Sequence, residues 1–143
     1  MRPLIGNRIY GCDDCQEVCP WNRFAVKTDI EAFRPRAGNL MPALSSLVDF
    51  TPEEFQERFR NSPIRRAKRD GFVRNVCVAL GNSGSREAVA PLSRAIRDRS
   101  ALVRAHAAWA LGRIATDSAR EILVEALQCE EDAEVLEEIR LAL

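Results

Sequence analysis

Cys12, Cys15 and Cys19 stand in the run Tyr10-Gly-Cys-Asp-Asp-Cys-Gln-Glu-Val-Cys-Pro20, and thiolates so closely spaced can hold a soft or borderline metal. Their pattern, C-x2-C-x3-C closed by proline, is the end of an iron–sulfur run that reads C-x2-C-x2-C-x3-C-P when complete. In the complete run the last cysteine serves a neighbouring cluster while the others share one. One cysteine of that run is missing here. These residues therefore describe half of a site, and the other ligands are expected upstream.

Zinc is the alternative, since C-x2-C is the usual zinc half-site. A second C-x2-C or an H-x3-H should then follow, and none does. Cys77 and Cys129 lie singly in apolar helical stretches, and the one histidine is His106. Both isolated cysteines read as small core hydrophobes. His106 has no cysteine or carboxylate at ligand spacing and reads as a surface or hydrogen-bonded residue. Disulfides are not expected, because no secretory signal opens the chain and a cytosolic thiol stays reduced.

The elements that must position the cysteines come next. A chain of 143 residues, 46% hydrophobic and 29% charged, can bury one ordinary core and a small appendage. No run approaches the length of a membrane span, so a cytoplasmic protein with no membrane partner is expected. Formal net charge is zero but unevenly spread: residues 1–116 hold 19 Lys/Arg against 12 Asp/Glu, and residues 117–143 hold 2 against 9. The densest positive stretch comprises Arg58, Arg60, Arg65, Arg66, Lys68, Arg69 and Arg74, opposed locally by Glu57 and Asp70. Such a cluster suits a phosphate backbone and equally a solvated helix face.

Thr51-Pro-Glu-Glu54 is a helix start with a capping box, after which Phe55 and Phe59 share a face. Ser62-Pro63 repeats the signal and predicts a helix to about Leu80, with Gly71 its weak point. On one helix Arg65, Lys68 and Arg69 would form a stripe that Arg74 extends, with Arg66 turned away. Phe72-Val-Arg-Asn-Val-Cys-Val-Ala-Leu-Gly81 then aligns with Leu102-Val-Arg-Ala-His-Ala-Ala-Trp-Ala-Leu-Gly112, placing Ala79-Leu80-Gly81 over Ala110-Leu111-Gly112. Second helices follow at Glu87 to Arg97 and Ala119 to Leu127, and a third first-helix at Val135 to Leu143. Helix pairs at this period signify an all-α solenoid whose units bury their faces on one another, and the short Ala-rich helices suggest HEAT-like repeats. Trp109, within an Ala-rich helix, reads as packing bulk rather than a stacking platform.

The block Arg2-Pro-Leu-Ile-Gly-Asn-Arg-Ile-Tyr-Gly-Cys-Asp-Asp-Cys-Gln-Glu-Val-Cys-Pro-Trp-Asn22, followed by Ser62 to Asn82 and HEAT-like repeats, closely resembles the C-terminal part of epoxyqueuosine reductase. The resemblance implies an oxidoreductase that uses cobalamin and two 4Fe–4S clusters to reduce epoxyqueuosine to queuosine in tRNA, the last step of queuosine biosynthesis. It implies that Cys12 and Cys15 ligate one cluster and Cys19 the other, and that the HEAT-like domain helps hold tRNA, for which Arg65, Arg66, Lys68, Arg69 and Arg74 are the candidates. The expected division is a partial ferredoxin-like 4Fe–4S segment at 1–27, a connector with one helix at 28–60, and a HEAT-like repeat domain at 61–143. The family's cobalamin-bearing catalytic domain, the complete cysteine run and an isolated upstream cysteine are missing from this sequence. The chain alone is therefore expected to hold incomplete clusters, to be inactive, and to need that domain or a split partner. The reading from another class is a non-catalytic HEAT-like scaffold whose cysteines are a relic or a zinc clip.

Overall fold

The computed structural model describes residues 1–143, all helix, turn and irregular chain with no strand. In chain order the α-helices are α1 (Arg2–Ile5), α2 (Asp14–Glu17), α3 (Pro52–Arg58), α4 (Lys68–Ser83), α5 (Val89–Ala95), α6 (Ala101–Ile114), α7 (Asp117–Cys129) and α8 (Ala133–Ala142). Short 3-10 turns occupy much of the chain between α2 and α4. Helices α4, α6 and α8 pack side by side as one layer, and α5 and α7 cover them as a second. This two-layer stack is the solenoid that the internal repeat requires.

The repeated Ala-Leu-Gly sets the spacing within the first layer. A Cβ on Gly81 would lie 2.8 Å from the Cα of Ala110, and one on Gly112 would lie 2.6 Å from the Cβ of Ala142. Glycine lets the backbones of α4 and α6, and of α6 and α8, approach this closely. The paired leucines face inward, Leu80 nearly and Leu111 wholly buried, as do Leu92 and Leu123 at matching positions of the second helices. In α6 the small residues Ala105, Ala107, Ala108 and Ala110 are all buried, so burial there comes from close approach rather than from large side chains.

The open end of the stack is closed by aromatic rings. Thr51 caps α3 as its sequence predicts, with its Oγ1 accepting from the Glu54 amide at 3.1 Å and the Glu54 carboxylate accepting from the Thr51 amide at 2.8 Å. That fixes α3 so that Phe55 and Phe59 meet Phe72 of α4 at ring-centroid separations of 5.5 and 5.0 Å. Leu47 and Val48, inside the irregular connector, are also buried in this core.

Two expectations are corrected. The helix from Ser62 is interrupted: Pro63–Ala67 form a 3-10 turn, and Lys68 takes a left-handed φ of 56° before α4 runs on. The break falls at Lys68 and not at Gly71, which sits within α4. The Ser62 hydroxyl accepts from the Ile64 amide two residues on, which favours a tight turn, and clustered like charges disfavour a regular helix. Cys129 is exposed, whereas Cys77 is fully buried as expected. It follows Leu123 by six residues, about 120° round α7 from the buried stripe.

Candidate functional site

The cysteine loop hangs from the solenoid by its preceding ten residues. Asn75 and Asn82 lie seven residues apart on α4, two turns, and so share a face. Asn75 Nδ2 donates to the Ile9 carbonyl at 2.8 Å, and Asn82 Nδ2 donates to the carbonyls of Arg2 and Gly6 at 3.0 and 2.9 Å. The Tyr10 hydroxyl donates to the Pro63 carbonyl at 2.7 Å. At the other end the Arg2 guanidinium makes a two-pronged pair with Glu138 of α8, at 2.8 and 2.5 Å, and lies 5.6 Å from the Trp109 ring centre. All three repeats therefore grip residues 2–10, through backbone carbonyls and one arginine.

Trp109 serves this packing: its ring borders Gly81 and supports Arg2. His106 is half-buried nearby, and its Nδ1 lies 2.9 Å from the Leu102 carbonyl. A carbonyl only accepts, so Nδ1 carries the proton. Burial above all, with Arg2 and Arg74 adding repulsion, holds the imidazole below its ordinary pKa and so neutral at pH 7.

Beyond Tyr10 the loop turns at Asp13, whose φ is 54°, and places Cys15 in α2. Across the loop the Nη2 of Arg8 donates to both carboxylate oxygens of Asp14, at 2.8 and 2.9 Å. Cys12 and Cys15 are exposed and Cys19 is half-exposed. These thiols would be the protein's donors to iron, and thiolate is the donor that iron–sulfur clusters use. In number they do not complete a cluster, and no three metal-capable side chains of the chain converge on a common point. The chain by itself does not fit a whole cluster. Cys77 takes no part: burial pushes its thiol up to about 12, which leaves it inert.

The structure sorts the basic residues into three groups. Arg65, Arg66 and Lys68 are exposed and have no carboxylate partner. Arg69 is withdrawn from the expected stripe: 11% exposed, it makes a two-pronged pair with Asp98 at 2.7 and 2.6 Å and donates to the Phe50 carbonyl at 2.7 Å. Burial pushes the Asp98 carboxyl up, but Arg69 and the Ser100 amide outweigh it and hold Asp98 below the carboxylate range. Arg74 is half-buried on the side of the N-terminal segment, with its Nε donating to Asn75 Oδ1 at 2.9 Å. The interruption at Lys68 separates Arg65 from α4, and five residues, about 140° round the helix, put Arg69 and Arg74 on different faces of it.

A model of HEAT repeats matches residues 65–143. The chain belongs to the HEAT-repeat family. This HEAT-repeat chain is 47% identical to the epoxyqueuosine reductase of Xanthomonas campestris over 114 residues, covering 79% of this chain and 32% of that enzyme. It is 47% identical to the epoxyqueuosine reductase of Pseudomonas aeruginosa over 117 residues, with the same 79% and 32% coverage. A crystal structure of epoxyqueuosine reductase with an epoxyqueuosine-modified tRNA-Tyr stem loop superposes with a TM-score of 0.90 at 32% identity, covering 99% of this chain and 38% of that one. The chain thus spans about a third of the length of the relatives it matches.

Asn75, Asn82 and Glu138 were not singled out by the sequence, although two asparagines one heptad apart, flanking the apolar run Val76 to Leu80 of α4, are a visible signal of a polar seam. Nothing in the sequence points from Arg2 to Glu138, 136 residues away.

Proposed function

We propose that this chain is the part of an epoxyqueuosine reductase that supplies iron–sulfur thiolates and a tRNA-holding helical stack for the reduction of epoxyqueuosine to queuosine in tRNA. The observation that carries the reading is the gripping of the segment before the cysteine loop by α4 and α8, in a chain superposing at 0.90 on a tRNA-bound epoxyqueuosine reductase. Cys12 and Cys15 belong to one 4Fe–4S cluster and Cys19 to a second, the remaining thiolates coming from outside these 143 residues, as does the cobalamin. When bound, such clusters supply single electrons; the work of this chain is to fix the loop that carries their ligands.

The reading is further supported by the surface of residues 1–41. Val18, Trp21, Phe24, Val26, Ile30 and Phe33 are 58% to 90% exposed, a concentration of exposed large apolar side chains in one short stretch of chain, as expected where it packs against another protein surface. In this reading the partner is the catalytic portion that the relatives possess. The division at 27 and 60 follows: a ligand-bearing segment, a connector that turns the chain, and a repeat domain from 61. Arg65, Arg66 and Lys68 are placed for tRNA, Arg74 at its margin, and Arg69 acts through structure. No helix is long and apolar enough to cross a membrane, and a tRNA-modifying role places the protein in the cytoplasm.

The test is anaerobic iron–sulfur reconstitution. The chain alone is expected to bind no complete cluster, whereas a chimera joining it to the upstream portion of the Pseudomonas aeruginosa enzyme is expected to bind two. In the chimera Cys12→Ala or Cys15→Ala should degrade one cluster and Cys19→Ala the other, resolved by electron paramagnetic resonance. Two full clusters on the chain alone would refute the split site. One tight zinc per chain without iron would support the non-catalytic scaffold instead.

A further inference from the structure

We propose that Arg99, in the turn between α5 and α6, joins Arg65 and Lys68 in a cradle that holds one backbone phosphate of an RNA. The inference rests on the reading of this chain as an RNA-holding stack and adds to it a site and a residue. A cavity of about 360 Å³ opens between the 3-10 turn before α4 and the α5–α6 turn, and Gln56, Arg65, Lys68, Arg69, Asp70 and Arg99 line it. Its cations come from two places about thirty residues apart, which the repeat brings to the same end of the stack.

Partnering is what singles these residues out. Most of the neighbouring arginines have a carboxylate: Arg69 pairs with Asp98, Arg94 with Asp49, Arg97 with Glu125 and Arg104 with Glu130, while Arg66 is unpaired but lies outside the cavity lining. Arg65, Lys68 and Arg99 have none and are exposed. Four cations line the cavity against Asp70, and with Asp98 beneath Arg69 the surplus is two positive charges. Like charges converging on one cavity repel, and an anion placed among them relieves that repulsion.

Phosphate fits the site better than an acidic peptide does. Two guanidinium forks can each meet two phosphate oxygens, and Lys68 adds a point charge. Phe55 is the single large apolar side chain of the lining, so the cavity offers little to a peptide's apolar residues. The Arg69–Asp98 pair fixes the floor and keeps the α5–α6 turn, and with it Arg99, against α4. An adjoining cavity shares Pro52, Arg69 and Arg99 and leads to Arg94 and Arg97. Those two hold exposed ion pairs, which contribute little and can open, so a strand leaving the cradle continues along a basic path.

The test is fluorescence anisotropy of a labelled RNA stem loop with the full chain over a potassium chloride series. Arg99→Glu is expected to weaken binding about tenfold or more and to flatten the log–log salt slope by about 0.7 to 0.9 for each phosphate no longer neutralised. Arg120→Glu, the same charge change on the exposed face of α7, controls for net charge. Arg99→Gln should give a smaller loss in the same direction and replaces the reversal should that variant misfold by circular dichroism. Wild-type binding with Arg99→Glu indistinguishable from Arg120→Glu overturns the cradle and leaves the RNA-holding reading standing. No salt-dependent binding by the wild type overturns both. Poly-glutamate displacing the RNA as well as phosphate polymer does at equal charge overturns the choice of phosphate.

Discussion

Removing the two asparagines of α4 should release the segment before the cysteine loop without unfolding the solenoid. In Asn75→Ala/Asn82→Ala three hydrogen bonds to the carbonyls of Ile9, Arg2 and Gly6 disappear, each contributing roughly 1 kcal/mol net. Against this, Asn82 Oδ1 is buried and has no partner, a cost of roughly 1 kcal/mol that the wild type relieves whenever the segment lifts away. The net loss of anchoring is therefore about 2 kcal/mol, which raises the lifted population roughly thirtyfold. The assay is the rate of tryptic cleavage between Arg8 and Ile9, followed by mass spectrometry at protease levels where cleavage tracks the open population. None of residues 1–10 is fully buried, so the urea midpoint of the whole chain should move little. A cleavage rate within about threefold of wild type, roughly 0.6 kcal/mol, would show that these bonds do not anchor the segment. Loss of the cooperative transition would show that the segment is part of the core.

Truncation of Leu111, fully buried in α6, should cost about 2–5 kcal/mol in urea titration, and a loss under about 0.5 kcal/mol would mean that the repeat register is wrong. Stability should fall as pH is lowered from neutral. His106 has a depressed folded pKa, so its contribution is complete above its unfolded value of about 6.5 and is lost as pH falls toward the folded one. Asp98, Glu130 and Glu138 are likewise depressed, and their contribution is lost below the ordinary carboxylate range, about 4; a urea midpoint that rises on acidification would contradict both assignments. Thiol titration of the native chain should modify Cys12, Cys15, Cys19 and Cys129 and spare Cys77 until urea unfolds it, and rapid native reaction of Cys77 would refute its burial.

What could be read from the residues was whatever depends on neighbours along the chain. The cap at Thr51 is an interaction between residues three apart, so Thr51-Pro-Glu-Glu54 is enough to specify it. The solenoid follows from the recurrence of Ala-Leu-Gly, because a repeated pattern that cannot bury its face alone must bury it on a copy of itself. The spacing of Cys12, Cys15 and Cys19 is likewise a local pattern, and it suffices to suggest thiolate–metal chemistry without supplying the ligands that would complete it.

Tertiary structure decided everything that depends on which carboxylate or carbonyl lies across the fold. Arg65 and Arg69 look alike in the sequence, yet Asp98, 29 positions further on, draws Arg69 into the core and leaves Arg65 in solvent. Arg99 stands apart from the basic run and meets it only because the α5–α6 turn folds back over the start of α4. Cys77 and Cys129 both sit in apolar helical stretches, and their opposite exposure depends on helix rotation against a neighbour. Asn75 and Asn82 recognise backbone carbonyls, which every residue possesses and which therefore leave no mark in the sequence of the segment they hold. Side-chain type and local spacing determined the elements; long-range pairing, whose partners are set by packing, decided which charges were paired within the fold and which were left in solvent.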